Sequence, residues 1–179
     1  YNTDKYKLMN LRGKGSVQVF PWLRIDNNSE YSDMKYHNPL NVGEGAGIWR
    51  NIGDEGHPLA PMFNPDGTLT MSAVYNVGDM WYGKNGYDFN RRIFKSTSGF
   101  EAQFFQDVFR VKGDFTFQNT DNNEKRKQVP VPYSNKPGVI AYVGTATNDL
   151  RETYRETQYI ATNLYGEFED TFSEDHYLK

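Results

Sequence analysis

Glu167 and Glu169 stand two residues apart in a stretch that alternates apolar and polar residues. On a strand, that spacing points both carboxylates to one face. A glycosidase uses two carboxylates flanking its bond. A charged, wet surface uses the same pair without chemistry, and nothing else in the sequence asks for catalysis. His37, His57 and His176 are scattered and lack metal-ligand spacing. No serine sits in a Gly-x-Ser-x-Gly elbow. Gly43-Glu44-Gly45-Ala46-Gly47 lacks the strand and helix that a phosphate loop needs, and it reads as a loop. Asn64-Pro65-Asp66-Gly67 has β-turn chemistry and too few oxygen ligands for a calcium loop. The chain is therefore not expected to be an enzyme, and no catalytic, metal or cofactor residue is assigned. The candidate ligand-binding residues are four aromatics in the first long connection: Trp49, Trp81, Tyr82 and Tyr87. Their rings offer flat apolar faces to a sugar or peptide, or pack the connection against itself.

The elements that would carry these residues are strands, because period-two alternation dominates. In the first hairpin, Met9, Leu11, Gly13, Gly15, Val17 and Val19 share one face, against Asn10, Arg12, Lys14, Ser16 and Gln18. After Phe20-Pro21-Trp22, Leu23, Ile25 and Tyr31 oppose Arg24, Asp26, Asn28 and Glu30. In the second, Phe94, Ser96, Ser98, Phe100, Ala102 and Phe104 precede a turn near Gln106-Asp107. Phe109, Val111, Gly113, Phe115 and Phe117 then oppose Arg110, Lys112, Asp114, Thr116 and Gln118. In the third, Ile160, Thr162, Leu164, Gly166 and Phe168 precede a turn near Thr171 to Glu174, and the chain starts back at His176. The pattern predicts about six strands of about 12–15 residues in three hairpins. Turns within hairpins are short and flanked by aromatics: Phe20 and Trp22, Phe104 and Phe109, Phe168 and Phe172. Connections between hairpins, 37–90 and 121–153, are long for a compact soluble domain. Lys125-Arg126-Lys127 falls in the second and reads as a solvated loop.

Composition fits a sheet with two different faces. Aromatics make up 16% of the 179 residues, yet mean hydropathy is −0.81. No apolar run approaches the roughly 18 residues that a spanning helix needs. A transmembrane barrel shows only alternate side chains to lipid, so low mean hydropathy suits it. Net charge is −3 with mixed signs, which is no nucleic-acid footprint. The absence of cysteine excludes disulfides and thiolate sites.

The run Val111-Lys112-Gly113-Asp114-Phe115-Thr116-Phe117, then Asn123-Glu124-Lys125-Arg126-Lys127, then Val129-Pro130-Val131-Pro132-Tyr133 and Pro137-Gly138-Val139, is followed by Thr162-Asn163-Leu164-Tyr165-Gly166-Glu167-Phe168. With Pro21-Trp22-Leu23, His57-Pro58 and Asn64-Pro65-Asp66-Gly67-Thr68, this ordered set resembles the barrel region of the SusC/RagA family of TonB-linked outer-membrane proteins. The resemblance implies a large barrel of about 22 strands with a plugged lumen. It also implies a SusD-like surface lipoprotein as partner, TonB as energy source, and oligosaccharides or peptides as cargo. Short aromatic turns would then face the periplasm and long loops the exterior. The family supplies no catalytic or cofactor residues to carry over.

The expectation is thus all-β: antiparallel strands of a large outer-membrane barrel, with residues 1–179 as one segment and the plug elsewhere. About six strands cannot close a membrane barrel, which needs about eight. Met9, Leu11, Val17, Phe94, Phe100, Phe115, Phe117, Ile160, Leu164 and Phe168 are expected to face lipid or the membrane interface. Arg12, Lys14, Lys95, Glu101, Arg110, Lys112, Asp114 and Glu167 are expected to face the lumen. The alternative is a soluble β-sandwich carbohydrate-binding module, whose strands also alternate.

Overall fold

The computed structural model describes residues 4–40, 59–77, 84–105, 108–144, 147–173 and 176–178. The elements run β1 (Lys5–Phe20), β2 (Leu23–Asn38), α1 (Met71–Val77), β3 (Gly86–Phe104), β4 (Phe109–Gln128), β5 (Val131–Lys136), β6 (Val139–Val143), β7 (Asp149–Phe168), β8 (Asp170–Ser173) and β9 (His176–Leu178). The fold is all-β, with antiparallel sheets. The long strands form one five-stranded sheet in the order β1-β2-β3-β4-β7. Two antiparallel pairs, β5–β6 and β8–β9, complete the described sheets. No helix among the described residues is long and apolar enough to cross a membrane.

The strands reach further than their alternation predicts. β2 runs to Asn38 and β3 begins at Gly86, so Tyr87 lies in a strand and not in the connection. β4 runs to Gln128, which places Lys125-Arg126-Lys127 in a strand and not in a loop. β7 begins at Asp149, and the hairpin β5–β6 fills part of the second connection. The end of β4 is polar on both sides, as in Asn122-Asn123-Glu124-Lys125, and at the end of β2 and the start of β3 the apolar residues switch to the other phase. Ladder hydrogen bonds need only the backbone, so pairing continues where the side-chain alternation has stopped or changed phase.

The chain divides into two compact units. One comprises Leu8–Asp33, Arg91–Asp121 and Arg155–Lys179. Its cross-strand contacts sort the side chains into two faces. On the first, the Phe100 ring lies over Gly113, and the Phe109 ring lies beside Gly166. On the second, Arg12 donates to Asn28 at 3.1 Å, Thr97 meets Thr116 at 2.9 Å, and Asn163 donates to Asp114 at 3.0 Å. The first face is apolar and, among the described residues, uncovered. Leu164 is 71% exposed, Ile160 62% and Phe115 48%, with Met9, Leu11, Val17, Phe94, Phe100 and Phe168 also exposed. Phe117 is half-buried.

Aromatic rings line the short-turn rim of this unit. Phe20 stacks on Trp22 at 5.6 Å, Trp22 on Phe104 at 5.9 Å, and Phe104 tilts against Phe109 at 6.4 Å. Further along the apolar face, Ser96 and Ser98, which the alternation places there, form a polar group with Asn27 and Ser29. Asn27 donates to Ser96 at 3.1 Å and Ser98 at 2.9 Å, and Ser29 donates to Asn27 at 2.8 Å. These side chains satisfy one another, so the face needs no water at that point.

The other unit comprises Tyr1–Lys7, Met34–Asn90 and Asn122–Tyr154. Its small core gathers Leu69, Ala73, Val74 and Val131, with Tyr133 and Val143 packed against it. Thr70 starts α1, its hydroxyl accepting from the Ala73 amide at 3.2 Å. The Asn64–Gly67 turn forms as its residues predict. Gly67 takes φ 82° and donates to Asn64 O at 2.9 Å. Asp66 accepts from the hydroxyl of Thr68 at 2.6 Å and from its amide at 3.1 Å. The Thr68 hydroxyl, first of these donors, holds the Asp66 carboxyl below its ordinary 3.8. A depressed carboxyl favours the fold above the unfolded value, and that gain is lost as pH falls through the folded one. In a carbon-13 NMR titration, the Asp66 midpoint should lie below 3.8, and Thr68→Val should raise it. A midpoint at or above the ordinary value would show the turn to be open in solution.

Candidate functional site

Three of the four loop aromatics, Trp49, Trp81 and Tyr82, lie outside the described residues, as do His57 and Gly43–Gly47. Tyr87 lies in β3 and opens the site. It lines a cavity of about 470 Å³ with Tyr36 and Asn38 of β2, Glu124 and Arg126 of β4, and Arg151 and Thr153 of β7. Tyr36 and Asn38 are two residues apart, as are Glu124 and Arg126, and Arg151 and Thr153. Each pair therefore projects from one side of the pleat. Four strands thus converge side chains that sequence distance keeps apart, and no local motif announces them.

The cavity joins flat rings to opposite charges. Tyr87 is hydrogen-bonded to Glu124. Burial, followed by the Glu124 charge, pushes the Tyr87 phenol above its ordinary 10.0, so it stays a neutral donor at physiological pH. Two arginines and one glutamate leave the lining net cationic. Two atoms of lining residues, Asn38 Oδ1 and Arg126 Nε, are buried without a hydrogen-bond partner among the described residues. Both atoms are closed off from solvent, so the groups that face the cavity are the remaining polar atoms of its lining. A larger cavity of about 830 Å³, beside Lys84, Pro130 and Tyr142, has no such convergence of charge and rings.

The remaining sequence candidates have structural uses. Glu169 accepts from Arg110, and Glu167 lies 2.9 Å from Lys112 and 3.8 Å from Arg110. Both carboxylates are thereby engaged as ion-pair acceptors of β4 side chains, Glu167 from β7 and Glu169 from the residue just after it. His37 Nδ1 lies 2.7 Å from Asp88, on residues of opposite parity to Tyr36 and Tyr87. No group of three or more His, Cys, Asp or Glu among the described residues could hold a metal ion. No protein-family model, curated protein or solved structure matches the chain.

Proposed function

We propose that this chain is a segment of the β-barrel of a TonB-dependent outer-membrane transporter of the SusC/RagA kind. It would import oligosaccharides or peptides together with a SusD-like surface lipoprotein. The exposed apolar face of the five-stranded sheet carries this reading. Each large side chain on it would gain about 1.5–3 kcal/mol on leaving water. Lipid acyl chains would cover such a face. The aromatic rim from Phe20 to Phe109 fits an interfacial girdle, and the self-satisfied Asn27–Ser96–Ser98 group suits a solvent that offers no hydrogen bonds. The opposite face, with its Arg, Lys, Asp and Glu ladder, would line the lumen. β1 and β7, the edges of the sheet, would pair with further strands of the full barrel, since an open edge in lipid leaves backbone groups unpaired.

The soluble carbohydrate-binding sandwich remains the rival, and it needs a second sheet over the same apolar face. Fractionation of native cells separates the two readings. A polypeptide several-fold larger than 20.7 kDa, released from the outer membrane only by detergent and bringing a lipoprotein with it, is the expected result. Recovery in the soluble fraction at 20.7 kDa would overturn the proposal and favour the sandwich.

A further inference from the structure

We propose that the cavity between Tyr36, Tyr87, Glu124, Arg126 and Arg151 is a subsite for an acidic sugar, a uronate unit of an oligosaccharide. The inference rests on the transporter reading, in which counting by twos along each strand puts these residues on the lumen side. The cavity, about 470 Å³, is of the size that holds a small ligand.

The chemistry of the lining selects the ligand. Arg126 and Arg151 offer guanidinium forks, which match the planar geometry of a carboxylate. Tyr36 and Tyr87 offer ring faces to the apolar side of a pyranose. Glu124 is an acceptor on the lining and calls for hydroxyl donors. A hydroxyl-rich ring carrying one carboxylate supplies all of these. A neutral sugar would leave the excess cationic charge unanswered. A peptide carboxylate would answer it but would offer Glu124 fewer hydroxyl donors.

The test titrates the intact polypeptide, purified in detergent, with three probes by calorimetry: tetragalacturonate, its neutral counterpart galactotetraose, and tetra-alanine. Tetragalacturonate is expected to bind about tenfold or more tighter than either other probe. Raising salt from about 0.05 M to about 0.5 M should weaken it, because the pairing is electrostatic. Arg151→Gln should cost about tenfold in tetragalacturonate affinity and so narrow its margin over galactotetraose. Arg151 is exposed, so the variant should melt as the parent does. Arg126→Gln provides a second reading with the same expected direction. Absent tetragalacturonate binding, equal affinity for acidic and neutral tetrasaccharides, or indifference to both arginine substitutions would each overturn the assignment. Equal or tighter binding of tetra-alanine would overturn it in favour of a peptide carboxylate. Fractionation into the outer membrane is read separately, so a protein that extracts with detergent yet ignores the uronate sinks only this inference.

Discussion

Phe115→Arg should destabilise the protein by about 2–4 kcal/mol in a lipid-refolding titration, whereas Thr116→Arg should cost about 1 kcal/mol or less. The two positions are neighbours on β4 and point to opposite faces. Phe115 shares its face with Phe100 and Gly113 and is exposed there. Thr116 meets Thr97 at 2.9 Å on the polar face. Depth sets the size of the first effect. Phe115 is six residues from Phe109 at the aromatic rim. A strand rising about 3.4 Å per residue and tilted about 40° places it roughly 15 Å from that rim. The apolar band of an outer-membrane barrel is about 25 Å tall, so in the proposed barrel Phe115 would sit near its middle, where an arginine is most costly. At Thr116 the arginine would enter a wet space already holding Arg110 and Lys112, and only the threonine pair would be lost. Equal penalties at the two positions would remove the basis for calling one face lipid and the other lumen. A soluble sandwich predicts that outcome reversed in medium: Phe115→Arg would then show its penalty in plain buffer without lipid.

The alternation told the fold class and the two faces because both rest on a side-chain rule that any stretch of sequence displays. Met9 through Val19, Phe94 through Phe104 and Phe109 through Phe117 all read as strands and are strands. The rule failed where a strand's apolar face does not continue to its end. At the end of β2, Met34 and Tyr36 alternate on the phase opposite to Leu23, Ile25 and Tyr31, and at the start of β7 Leu150 and Tyr154 share their phase with Glu152 and Glu156, so neither end continues its strand's apolar face and the strands read as shorter than they are. In a barrel, that is how a strand reads once it rises past the lipid and meets water on both sides. Tyr87 and Phe89 alternate with Asp88 and Asn90, but on the phase opposite to Phe94 and Phe100, so the start of β3 reads as part of the connection and the site around it stays hidden. Tyr36, Glu124, Arg126 and Arg151 come from strand ends, and only sheet order brings them together. The β5–β6 hairpin was masked differently, because Pro130, Pro132 and Pro137 suppress a strand reading even where an edge pair tolerates them. α1 did leave a signal, Thr70 as a cap before Met71-Ser72-Ala73-Val74, but seven residues are too short for a periodic stripe.

Gly113→Ala should destabilise the protein by about 1–3 kcal/mol, and Gly166→Ala by clearly less. Both glycines sit on the apolar face beneath an aromatic ring from the neighbouring strand, and a Cβ meets different distances at each. At Gly113 it would stand 2.6 Å from Phe100 Cε1 and 3.2 Å from the backbone oxygen of Asn163. The ring can swing away, but the carbonyl belongs to the sheet ladder and cannot yield without moving β7. At Gly166 the nearest atom is Phe109 Cε2 at 3.4 Å, an ordinary contact. Removing a strand glycine also lowers the entropy of the unfolded chain, a gain of about 0.4–1 kcal/mol that works against the clash. The clash exceeds that gain at Gly113, and at Gly166 the two nearly offset. The double variant Gly113→Ala with Phe100→Leu separates the two sources of strain. It should recover the share due to the ring and retain the share due to Asn163. Full recovery would mean the carbonyl contact is slack. Equal losses at Gly113 and Gly166 would mean that the rings do not lie over the glycines, and the close strand packing on this face would have to be abandoned.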